Sequence, residues 1–147
     1  MEYKYKASCT KTQLKDIRDF VQDVLQKYTL NEVEIGQMVL AVDEVCANLI
    51  IHSHHCNPTE HIQLKIQIDE KTGITFEITD QGEAFNILNY KEPNLDQIIN
   101  TRKKGGVGLM LVRRIMDKIE FSCNKKTRHN ICRLSKNLKL TQKEKVT

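Results

Sequence analysis

The sequence predicts an α/β two-layer sandwich, with a mixed, mostly antiparallel sheet covered on one face by helices. Three observations carry that prediction. Apolar residues recur at helical spacing in two long stretches before His52 and again from Leu109 onward. Between Ile62 and Ile78 they alternate with polar residues in two runs, separated by Lys71-Thr72-Gly73. A second pair of short alternating runs closes the chain. Hairpins pair strands antiparallel, and a sheet with one apolar face needs a helical layer against it.

The elements follow in order. Glu2 to Ala7 alternate as a short strand. Thr10-x-x-Gln13 has the form of a capping box, in which the Thr hydroxyl accepts from a free backbone N–H. Leu14, Ile17, Val21, Val24, Leu25 and Tyr28 then mark one helical face. Asn31-x-x-Glu34 is a second such start. Behind it, Ile35, Met38, Val39, Val42, Val45, Cys46 and Leu49 form a stripe that predicts a helix from about Glu32 to His52. After Asn57-Pro58 come the hairpin strands Ile62 to Ile68 and Ile74 to Ile78, the latter ending at Thr79-Asp80. Residues 83 to 104 show no sustained period, with a short helix expected over Leu95 to Asn100. Leu109, Val112, Ile115 and Met116 mark a third long helix. Glu120 to Cys123 and Asn130 to Leu134 are two more strands. One domain is expected over residues 1–137, with a flexible basic tail over 138–147.

Composition narrows the class. The 147 residues are long enough for a sizeable core, and 39% hydrophobic with 29% charged content suits a globular chain. No run approaches the roughly 18 consecutive apolar residues of a membrane span, and the N-terminus lacks the apolar run of a signal peptide. A cytoplasmic protein without membrane association is expected. Five cysteines, odd in number and without a CxxC, fit reduced thiols better than a disulfide framework. The net charge of +4 is mild. Basic clusters at Arg102-Lys103-Lys104, Arg113-Arg114 and Lys125-Lys126 read as solvated surface and phosphate neighbours. With four Phe and four Tyr there is little for a stacking platform, so direct nucleic-acid binding is not expected.

Three stretches carry the chemistry. Glu44 and Asn48 stand four apart on the second helix and share a face, with the small Ala41 beside them. A carboxylate there can take a proton from a hydroxyl or water, and an amide oxygen can ligate Mg²⁺. Asp80 ends a strand with Gly82 two residues on. Its carboxylate can accept from an exocyclic amine such as that of adenine, and glycine lets a flat ring approach the backbone. Gly105-Gly106-Val107-Gly108 precedes a helix, whose N-terminus attracts phosphate. Taken singly, these patterns also fit a polar helix flank, a strand-ending turn and a flexible cap. Neither the GxxxxGK[ST] loop nor a tight strand–GxGxxG–helix unit is present.

In order and spacing, "AVDEVCANLIIHS", "ITDQGEAFN" and "GGVGLMLVRRIMD" resemble the ATP-binding fold of gyrase B, MutL and sensor histidine kinases. Within that superfamily the chain resembles the anti-sigma factor serine/threonine kinases of bacterial partner-switching systems, over about residues 3 to 135. The resemblance implies ATP and Mg²⁺ as cofactors, with Asn48 as the metal ligand and Glu44 as the catalytic carboxylate. It implies Asp80 as the adenine reader, and Gly82, Phe85, Gly105, Gly106, Val107, Gly108 and Leu109 as further nucleotide-site residues. Lys104, or Arg102 in its place, would reach the terminal phosphate, and residues 86 to 104 would form a mobile lid. An anti-anti-sigma factor and a sigma factor are the implied partners, with a homodimer as the implied assembly. Ser53 after His52 and Ala84 depart from residues common in the family, which puts the adenine pocket and lid in question. The alternative reading is a nucleotide-dependent module that sequesters a regulator without kinase activity. His52, His54, His55, Cys56 and His61 form a cluster whose spacing matches no standard zinc pattern, and metal binding there is left open.

Overall fold

A computed structural model of the chain describes residues 1–81, 106–124 and 126–143. Five strands, β1 (Glu2–Ser8), β2 (His61–Asp69), β3 (Gly73–Gln81), β4 (Lys118–Asn124) and β5 (His129–Asn137), form one sheet in the order β1-β2-β3-β5-β4. Three helices, α1 (Gln13–Leu25), α2 (Glu32–Asn48) and α3 (Gly106–Ile115), complete the described fold. The α/β class and the helical layer agree with the sequence, but every neighbouring strand pair is antiparallel rather than mixed. The reason lies in the crossover. β4 runs parallel to β3, but β5 turns back between them and fills the gap.

One face of the sheet is apolar. Ile62, Leu64, Ile66 and Ile68 of β2, Ile74, Phe76 and Ile78 of β3, and Cys132 and Leu134 of β5 are buried. They join one core with Ile17, Val21 and Val24 of α1, Met38, Val42 and Val45 of α2, and Val112 of α3. The opposite face is polar. Register places Lys4, Lys65, Glu77, Arg133 and Glu120 in one cross-strand row. Within it Arg133 Nε lies 3.0 Å and Lys65 Nζ 3.6 Å from the Glu77 carboxylate. Opposite charges facing each other across strands support this register.

The expected helix starts fare differently. Asn31 caps α2 as the sequence predicts: its Oδ1 accepts from Glu34 N at 2.7 Å, and Glu34 Oε1 accepts from Asn31 N at 3.2 Å. The Thr10 box does not form. Thr10 Oγ1 lies 3.1 Å from Thr12 Oγ1, and α1 begins at Gln13 with no side-chain cap. α2 ends as an α-helix at Asn48 and continues to Ser53 as a wider π-turn. By length and composition Glu32–Ser53 is long and apolar enough to cross a membrane, yet half of it is buried inside this fold.

The segment after Asn137 is held in place through Lys143, where a loose tail was expected. Leu140 is buried, and its N–H donates to Glu70 O at 2.9 Å. Thr29 N donates to Thr141 O at 2.8 Å, and Lys143 N to Lys27 O at 2.8 Å. The alternation of Leu138 and Leu140 supplies the apolar anchor that the surrounding lysines obscure in the sequence.

Candidate functional site

The site is built on α2, its π-turn, the end of β3 and the start of α3. Glu44 and Asn48 stand one turn apart on α2, as expected. Asn48 is buried, and its Nδ2 donates to the Glu44 carbonyl at 2.7 Å. That bond commits the amide nitrogen to the helix backbone and turns the amide oxygen away from it. Glu44 reaches toward α3. A Cβ built on Gly108 would overlap the Glu44 carboxylate, so a glycine at this point lets the two helices approach. Ala41 is fully buried, so this flank of α2 is covered rather than solvated. Burial raises the Glu44 carboxyl above the usual range, and the neighbouring Asp43 charge adds to the shift. A carboxylate with a raised proton affinity is a stronger base at neutral pH.

The Gly106 and Val107 backbone opens α3, and Gly108 and Leu109 lie buried in its first turn. The first N–H groups of a helix have no intrahelical acceptor and carry partial positive charge. The Glu44 carboxylate is therefore set beside an anion-attracting helix end. Gly82, Phe85, Arg102, Lys104, Gly105, the lid at 86 to 104 and the helix expected over Leu95 to Asn100 lie outside the described residues.

Asp80 is buried near the end of β3, on the helix-facing side of the sheet. His54 Nε2 lies 2.8 Å from Asp80 Oδ2, and His54 Nδ1 lies 2.7 Å from Glu60 Oε2. Asn130 of β5, in register with Asp80, also hydrogen-bonds the carboxylate. Burial raises the Asp80 carboxyl, and the His54 hydrogen bond and charge, with Asn130, pull the other way. Sequence reasoning missed His54, Glu60 and Asn130 as neighbours of Asp80. The cysteine–histidine cluster does not converge: among the described residues no group of three or more His, Cys, Asp or Glu is placed to hold a metal ion.

The donor set fits Mg²⁺ of the kind that rides on a substrate phosphate. Mg²⁺ takes one or two protein oxygens and fills its other positions with phosphate and water. Asn48, with its nitrogen committed to the backbone, offers such an oxygen one turn from Glu44.

A buried amide and a half-buried carboxylate on a core helix, a buried Asp at a strand end and a glycine-opened helix make up the candidate site. The chain belongs to the histidine kinase-like ATPase domain family, whose model matches residues 7–136. It is 32% identical over 99 residues to the serine-protein kinase RsbW of Halalkalibacterium halodurans, a match covering 64% of this chain and 57% of that protein. Over 108 residues it is 24% identical to RsbW of Bacillus licheniformis, covering 70% of this chain and 66% of that one. The chain thus spans less than two thirds of the length of either curated relative. Its fold is similar to that of the RsbU and RsbW domains of a Mycobacterium tuberculosis protein, with a TM-score of 0.67 at 12% identity over all of this chain and 35% of the other. It is similar also to the SiaB–SiaC complex structure from Pseudomonas aeruginosa, with a TM-score of 0.63 at 13% identity over 92% of this chain and 89% of that one.

Proposed function

We propose that this chain is an ATP-dependent serine/threonine protein kinase of the anti-sigma-factor type, acting in the cytoplasm. Its substrate is a serine or threonine of a small anti-anti-sigma partner, and phosphorylation switches which regulator the chain holds. The observation that carries this reading is the meeting of Glu44, on the face of Asn48, with the first turn of α3 at Gly108. A general base, a hard-cation ligand and a phosphate-attracting helix end come together there.

The residues divide the work. Asp80 accepts from the adenine amine and sets the register of the nucleotide. The α3 N-terminus holds phosphate oxygens through backbone N–H groups. Asn48 would hold Mg²⁺ through its amide oxygen. A metal ion held there would supply positive charge to offset that of the phosphates. Glu44 orients the substrate hydroxyl and accepts its proton as the oxygen attacks. Lys104, with Arg102 as substitute, is assigned to the charge on the transferred group. Transfer of this kind rests mainly on positioning and electrostatics. The two curated relatives, both named serine-protein kinases, support the activity.

The test is incubation with labelled ATP and a small anti-anti-sigma protein, followed by pull-down of partners in ATP and in ADP. Label on a serine or threonine, with partner exchange that depends on transfer, is the expected outcome. Partner exchange without label would assign the chain to the other class, a nucleotide-dependent binding module.

A further inference from the structure

Within the nucleotide reading, a buried imidazole clamped between two carboxylates still lacks a role. We propose that Glu60 and His54 form a relay that holds Asp80 as a fixed hydrogen-bond acceptor, and so set the preference of the site for a nucleobase that carries an exocyclic amine. This rests on Asp80 being the base reader. His54 is then a positioning residue, acting through Asp80.

The geometry is specific. The side chains of His54 and Asp80 are 1% and 2% exposed, so neither depends on water for its partner. Both ring nitrogens lie within 2.8 Å of a carboxylate oxygen. Ionised carboxylates only accept. The Asp80 contact is satisfied when Nε2 donates to the ionised carboxylate, and Glu60 at Nδ1 fixes the orientation of the ring. Charge-assisted bonds of this kind are about twice as strong as neutral ones. A carboxylate oriented in this way accepts from an amine but repels a carbonyl at the same ring position.

The backbone is shaped to deliver the ring. The π-turn Leu49–Ser53 follows Asn48 directly, and His54 N donates to Leu49 O at 2.9 Å. π-turns are rare and concentrate at functional sites. His55 and Cys56 follow with φ of 51° and 55°, a left-handed pair without glycine. Such residues persist where the surroundings fix them, and they cluster at functional sites. Cys56 N then donates to Ile50 O at 2.8 Å and Asn57 N to His54 O at 3.0 Å. Glu60 is pinned in turn, its N–H to Asn57 O at 3.1 Å and its carbonyl to Cys9 N at 2.9 Å. A strained, hydrogen-bonded loop thus spans from the Mg²⁺-ligand candidate to the outer carboxylate.

The groups facing Asp80 allow a clean titration. His54 comes from the loop, with Glu60 on its far side, Cys9 from after β1, and Cys132 and Asn130 from β5. Lys6, His61, Arg128 and His129 line a cavity of about 560 Å³ at the same end of the sheet, which also reaches Asp80. Burial pushes the Cys9 and Cys132 thiols to about 11 and about 12, so both stay neutral through the test range.

The test has two arms, applied to wild type, His54→Ala and Glu60→Gln. Glu60 is partly exposed, so Glu60→Gln keeps the test intact should His54→Ala fail to fold. In the first arm, carbon-13 NMR follows the Asp80 carboxyl without nucleotide. Its midpoint is expected to rise in His54→Ala, and by less in Glu60→Gln. An unchanged midpoint overturns the relay. In the second, calorimetry compares ATP with inosine triphosphate, which has a carbonyl where ATP has the amine. Wild type is expected to prefer ATP. His54→Ala is expected to lose about tenfold or more of its ATP affinity at neutral pH and to recover part of it as pH rises and Asp80 ionises. A loss equal at every pH would mark His54 as structural only and overturn the proposal. A wild type that binds neither nucleotide removes the adenine reading itself, and the proposed base preference with it, while the NMR arm still reports on the relay.

Discussion

Replacing Glu44 with glutamine is expected to lower phosphoryl transfer by about 10²-fold or more, the usual contribution of a positioned general base. Glutamine keeps the shape of the side chain against Gly108 and cannot take the proton. Nucleotide affinity should change far less than the transfer rate, because the amide still fills the same space. The substitution should also stabilise the protein at pH 7. Burial, with Asp43, raises the Glu44 carboxyl above its ordinary 4.5, so the folded chain binds this proton more tightly than the unfolded one. Stability from that difference is present below the unfolded value and is lost as pH rises through the folded one. Glu44→Gln should therefore melt higher than wild type at pH 7, with the gap closing toward pH 4. Thermal melts at the two pH values, run beside the labelled-ATP assay, read both effects. A variant that transfers phosphate at the wild-type rate would refute the role given to Glu44.

Phe76→Ala is expected to cost about 3–5 kcal/mol, the range for emptying a fully buried aromatic position. Phe76 lies in β3, with β2 on one side and β5 on the other, and is completely buried. Domains of this size are stable by about 5–15 kcal/mol in all, so the variant should be largely unfolded in mild denaturant. Val33 is 68% exposed on α2 and serves as the contrast. Val33→Ala should change the unfolding free energy by no more than about 0.5 kcal/mol and leave the urea midpoint nearly in place. Equal midpoints for the two variants would contradict the placement of the core.

Much of this architecture was legible because burial writes a period into the chain. Ile62 to Ile68 and Ile74 to Phe76 alternate strictly, and each alternate residue lies in the core. The α2 stripe is equally plain, and its cap formed as Asn31 and Glu34 predict. The Thr10 pattern failed because the chain between β1 and α1 turns through Thr12 before the helix begins. A short polar motif does not fix where a helix starts.

The candidate site was legible only as separate pieces. The E-x-x-x-N spacing placed Glu44 and Asn48 on one face, but nothing local shows that Gly108 closes over Glu44. That contact joins residues 64 positions apart. His54 was hidden for a different reason. It read as one of a loose group of histidines, whereas the π-turn rotates it inward to Asp80, and no residue pattern announces a π-turn. Asn130 became visible only through the register that puts β5 beside β3.

The central claim is that Asp80 and the Glu44–Asn48 face form an Mg²⁺-dependent ATP site. Calorimetric titration of Mg-ATP into wild type and Asp80→Asn tests it most directly. Wild type is predicted to bind saturably, and binding should weaken at least about tenfold when the buried carboxylate can no longer accept from the base. No binding at millimolar nucleotide, or equal binding by the two proteins, would contradict it.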